Sequence, residues 1–62
     1  MQQPKNVSAA LLQLHRLSMA IANDLGNYLD NPQDYTPEYF EGVMEAALDA
    51  HLLVTWVRDR IE

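Results

Sequence analysis

Two apolar stripes at heptad-like spacing, split by one proline-bearing linker, leave this chain few folds to choose from. In the first stripe Val7, Leu11, Leu14, Ser18, Ile21, Leu25 and Tyr28 follow at alternating four- and three-residue steps, widened by Ala10, Leu17, Ala22 and Leu29. In the second, Phe40, Val43, Ala47, Ala50, Val54, Val57 and Ile61 keep a similar rhythm. Such a period puts each set on one side of an α-helix, whereas a half-buried strand would alternate every second residue. The stripes predict an all-α chain with helix 1 over about residues 7–29, a loop over 30–36 and helix 2 over about 37–61.

The helix ends have local causes. Asn6 or Ser8 can cap helix 1, since a short polar side chain accepts bonds from free N–H groups of the first turn. Residues 1–6 read as a short disordered lead. Gly26 could stop the helix, but the stripe runs on through Tyr28 and Leu29, which predicts continuation. In Asp30-Asn31-Pro32-Gln33-Asp34-Tyr35, Pro32 turns Asn31 away from helical geometry. Thr36 then stands where an N-cap belongs, with Pro37 at the first helical position and Tyr35 and Phe40 spaced as a hydrophobic staple. Glu38 and Glu41 at the start of helix 2, and Arg58 and Arg60 at its end, suit the helix dipole.

Two such helices joined by a short loop predict one domain over residues 1–62, an antiparallel hairpin. If Leu29 lies level with Pro37, the layers read Leu25 with Phe40, Ile21 with Val43 and Ala47, Leu14 with Ala50 and Val54, and Val7 with Ile61. At the waist Ser18 would meet Ala47 and Ala50, all small. Sixty-two residues build only a marginal core, and without cysteine no disulfide can reinforce it. Leu12, Met19, Met44, Leu52, Leu53 and Trp56 also fall off the stripes. Both points predict pairing into a four-helix-bundle-like homodimer, with Trp56 and Leu53 covered between subunits or by a partner.

Other classes find no footing. No segment approaches the roughly 18 apolar residues of a membrane span, and Met1-Gln2-Gln3-Pro4-Lys5 lacks the features of a secretory leader, so the expected location is cytoplasmic. No Gly-rich phosphate loop, nucleophile–base arrangement or metal-ligand spacing occurs, which predicts a non-enzyme without cofactor or metal. His15 and His51 fall at one level of the hairpin, but without a third ligand they read as histidines at the core edge. A formal net charge of −5 opposes nucleic acid as the main partner.

The charge distribution points instead to a protein partner. Seven acids lie between Asp24 and Asp49 with no Lys or Arg among them, and Glu41, Glu45 and Asp49 form an i, i+4 row. Such a row costs a few tenths of a kcal/mol per pair in the helix, and a solvated face for solubility is the simplest account of it. A docking row for a basic partner, at about 6 Å spacing along the helix, is the functional one, with mimicry of DNA phosphates as its narrow form. The expected function is a small regulatory or inhibitory binder, antirepressor-like in the manner of small phage and plasmid proteins. It would occupy a surface of, for instance, a DNA-binding regulator. Glu41, Glu45 and Asp49 would steer it, and Leu52, Leu53 and Trp56 would anchor it.

In length and hairpin layout the chain also resembles the repressor-of-primer family of plasmid copy-number regulators, four-helix-bundle dimers that bind paired RNA loops. That resemblance implies an RNA-binding dimer in which only Lys5, Arg16, Arg58 and Arg60 could contact phosphate. A third expectation is a passive subunit whose apolar surface completes a larger assembly.

Overall fold

The computed structural model describes residues 3–61 of the chain and contains two helices, α1 (Val7–Asp30) and α2 (Tyr39–Arg58), joined through a single 3-10 turn at Pro32–Asp34. The helices pack antiparallel, and among the described residues there is no strand. Met1 and Gln2 of the expected lead lie outside the described residues, while residues 3–6 precede the first helix.

α1 starts where a cap exists. Asn6 has extended backbone, its Oδ1 accepts a 2.8 Å bond from the Ala9 N–H, and its carbonyl accepts from Ala10 at 3.1 Å. Asn6→Ala should therefore lower stability by about 1 kcal/mol. An unshifted urea midpoint would reject that role. The helix passes through Gly26 with no positive φ and ends at Asp30, where the Asn31 N–H still reaches the Asn27 carbonyl at 3.1 Å.

α2 is shorter at both ends than its pattern suggested, and the Thr36 cap is not formed. Instead Thr36, Pro37 and Glu38 make a tight turn. Their carbonyls accept from the N–H groups of Tyr39, Phe40 and Glu41, three residues on, at 3.0–3.1 Å. In this turn the Glu38 carboxylate bonds first its own backbone N–H and then the Thr36 hydroxyl, which together hold its pKa below the ordinary carboxylate range. At the far end Asp59 closes α2, its N–H bonded to the Thr55 carbonyl at 3.0 Å, and Arg60 and Ile61 continue as a turn on Val57.

The two ends of the hairpin are held differently. At the loop end four aromatic rings gather: Tyr28 meets Phe40 edge-on at 5.0 Å and Tyr35 at 6.1 Å, while Tyr39 lies 4.4 Å from Tyr35 and 5.6 Å from Phe40. The expected Tyr35–Phe40 staple is replaced by this cluster, because the late start of α2 frees Tyr39 to pack between them. The Tyr39 hydroxyl also donates to the Asp24 carbonyl at 3.1 Å, tying the start of α2 to α1. At the open end Ala10, Leu53 and Val57 form the buried core, with Val7, Leu14, Leu17 and Trp56 packed around it.

The inward stripes differ from the expected ones by one column on each helix. The partly or fully buried positions of α1 include Val7, Ala10, Leu14, Leu17, Ile21, Asp24 and Tyr28, and those of α2 include Tyr39, Val43, Ala46, Ala50, Leu53 and Val57. One column of each helix was read correctly (Val7, Leu14, Ile21 and Tyr28; Val43, Ala50 and Val57). The other on α1 is made by Asp24 with Ala10 and Leu17, both expected as widening of the stripe, while Leu11, Ser18 and Leu25 are exposed. On α2 Tyr39, Ala46 and Leu53 take the place expected for Ala47 and Val54, while Phe40 stays partly buried, edge-on to Tyr28. Both helices are rotated toward the column that holds Leu53, the bulkiest fully buried side chain. The expected small waist is consequently not an internal layer. Ser18 and Ala47 are exposed, and the Ser18 hydroxyl bonds back to the Leu14 carbonyl at 2.8 Å.

Candidate protein-binding surface

The six residues expected to contact a partner separate into two groups. Glu41 and Glu45 are exposed on α2, one turn apart, and Asp49 continues the row as a partly covered residue. None of the three carries an ion pair; among the described residues the single salt bridge is Arg58–Asp59 at 3.2 Å, between two well-exposed neighbours. Met44 and Leu48, 68% and 58% exposed, line a shallow groove together with Glu41 and Glu45. The acids therefore frame an apolar strip, a combination that charge patterning alone did not reveal but that the off-stripe position of Met44 hinted at.

Of the apolar anchors, only Leu52 is a surface residue. Leu53, expected off the stripe, is wholly inaccessible within the hairpin and cannot contact a partner without unfolding. Trp56 is not left in water, as a lone hairpin was expected to leave it. It packs on the open-end core, and the Arg60 guanidinium lies 3.6 Å from its ring centroid. Arg60 is held there by a 3.0 Å bond to the Trp56 carbonyl. The indole Nε1 is buried with no hydrogen-bond partner. The physical reason is the column rotation, which brings Leu53 inward and turns Trp56 toward the N-terminal turns of α1.

His15 and His51 are exposed rather than at the core edge, and no group of three metal-ligating side chains occurs among the described residues. The Tyr39 phenol is pushed above its ordinary range, first by burial and then by the nearby Asp24 charge. No described helix is long and apolar enough to cross a membrane.

These features define an all-α helical hairpin with an acidic, partly apolar outer surface on its second helix. No protein-family model matches the chain, and the comparisons with curated proteins and with solved structures likewise find no match.

Proposed function

We propose that this chain is a non-catalytic protein-binding module, a regulator or inhibitor that works as a homodimer of hairpins and occupies a basic surface of its partner, such as a DNA-binding regulator. The observation that carries this reading is the row Glu41, Glu45 and Asp49, free of ion pairs and set beside the exposed Met44 and Leu48. Charges in that arrangement speed encounter and set orientation, while the apolar strip supplies the area that excludes water on contact. Leu52, one turn beyond Leu48, extends the strip and remains the anchor. RNA draws less support: four basic side chains stand against nine acids, and Arg60 is stacked on Trp56.

The test is a triple substitution, Glu41→Gln, Glu45→Gln and Asp49→Asn, used to capture protein from a cell lysate at low and high salt. Folding stability should stay equal or rise by a few tenths of a kcal/mol, since like-charge repulsion is relieved. Association with the captured partner should slow about tenfold at low salt and lose most of its salt dependence. Unchanged binding by the folded variant would reduce the row to a solvated face.

A further inference from the structure

We infer that a second copy of this chain covers the side formed by Leu11, Ser18, Leu25, Ala47 and Val54, exposed in the hairpin, and by the partly buried Phe40, docked with its loop pointing the opposite way. The inference specifies the homodimer of the proposed function, which it presupposes. These six residues are the column next to the buried stripe on each helix, and in an antiparallel pair the corresponding flanking columns of the two helices lie on one side. Leu29 and Ile61 extend that side. The opposite flank, Gln13, Ala20 and Asn27 with Gly42 and Asp49, is polar or small apart from Trp56, which is already packed. The hairpin is therefore apolar on one flank only.

Area argues that the cover is protein of similar size. The chain exposes 4910 Å², whereas a compact monomer of its 7.1 kDa mass should expose about 4,100 Å². The excess, on the order of 800 Å², is close to what each partner buries in a standard stable interface. The excess has a visible source, since the molecule extends 44 × 17 × 17 Å with a radius of gyration of 13.7 Å, against about 10.6 Å for a compact chain of this length.

Shape and charge select the orientation. Leu11 and Leu25 stand one heptad on either side of Ser18, as Val54 and Phe40 do around Ala47. A two-fold axis across the waist, perpendicular to the helices, sets Ser18 on Ser18 and Ala47 on Ala47 of the second copy. Leu11 then meets Leu25 of the second copy, and Val54 meets Phe40. Small residues at the axis let the helices approach, and large ones fill both ends. The same axis brings Lys5, Arg58 and Arg60 at the open end level with Asp30, Asp34 and Glu38 at the loop end of the second copy. With both loops at one end, those acids would instead gather against each other, and like charges so placed oppose association. Arg58 is available for this exchange, because its bond to Asp59 is an exposed one between sequence neighbours.

The absence of cysteine makes the test direct. Sedimentation of the full chain should give twice its 7.1 kDa mass, and Leu25→Glu should weaken self-association about 100-fold by burying an unpaired charge. Its helix content should be retained, because Leu25 is 41% exposed in the hairpin. Under mild oxidation, Ser18→Cys and Ala47→Cys should each form a covalent dimer with itself, and Leu25→Cys should link to Leu11→Cys but not to itself. A monomer at all concentrations would overturn both the homodimer and its geometry. A stable dimer in which mixed Ser18→Cys and Ala47→Cys chains link to each other, and neither links to itself, would overturn the orientation alone.

Discussion

Leu53→Ala should be the most damaging single truncation in the hairpin, lowering stability by about 3–5 kcal/mol. Leu53 is fully inaccessible and lies at the centre of a core that otherwise consists of Ala10 and Val57. Its removal leaves a void that neither helix can close without shifting, so the lost transfer free energy and the cavity term add. A domain of this length has only about 3–9 kcal/mol to lose, so the variant should be largely unfolded at 37 °C by circular dichroism. Leu52→Ala, one residue earlier and on the surface, should cost less than about 1 kcal/mol. Equal effects of the two substitutions would show that Leu53 is not the keystone of the pair.

Trp56→Ala should follow closely, at about 3–4 kcal/mol, and its effect should fall on folding rather than on partner contact. The indole covers the outer side of the open-end core and carries the Arg60 stack, so its loss exposes Val57 and frees Arg60 together. Trp56→Phe separates packing from hydrogen bonding. Because Nε1 is buried without an acceptor, the phenyl ring gives up volume but also removes an unsatisfied donor, and the net cost should stay below about 1.5 kcal/mol. As the chain's one tryptophan, it should emit at the short wavelengths of a buried indole, with no shift on dilution across the self-association range. Emission typical of water in the folded chain would contradict its packing.

The helical hairpin and its turn were legible because their signals are local: a period near 3.5, a capping Asn6, and Pro32 and Pro37 around a polar linker. What the sequence could not decide was which two of three adjacent apolar columns face the other helix. Leu11 and Leu25 are better hydrophobes than Ala10 and Asp24, so the pattern favoured them. The structure follows packing across the pair instead, where Ala10 gives Leu53 room and Asp24 offers its carbonyl to Tyr39. The Thr36 cap was misread for a similar reason, since a cap motif does not say whether the following proline opens a helix or a tight turn. Charge and position alone placed Glu41, Glu45 and Leu52 on the outside of the hairpin, where the structure has them. Leu53 and Trp56 were misplaced because the column assignment that buries one and packs the other is a tertiary fact.

The division of the hairpin into an aromatic end and an aliphatic end sets an order for its folding. Tyr28 and Phe40 are separated by roughly a dozen residues, and Ala10 and Leu53 by more than forty, so bringing the second pair together first costs about 1 kcal/mol more in loop entropy. The aromatic rings should therefore close first, with the helices zipping from the turn toward the termini. The core around Leu53 forms last and governs the rate of unfolding more than the rate of folding. The hairpin behaves as a clip hinged at its turn, with its catch at the far end. Brief opening should release the catch while the hinge stays intact, so amides of α2 around Leu53 should exchange faster than those of α1 around Tyr28, despite the deeper burial of Leu53.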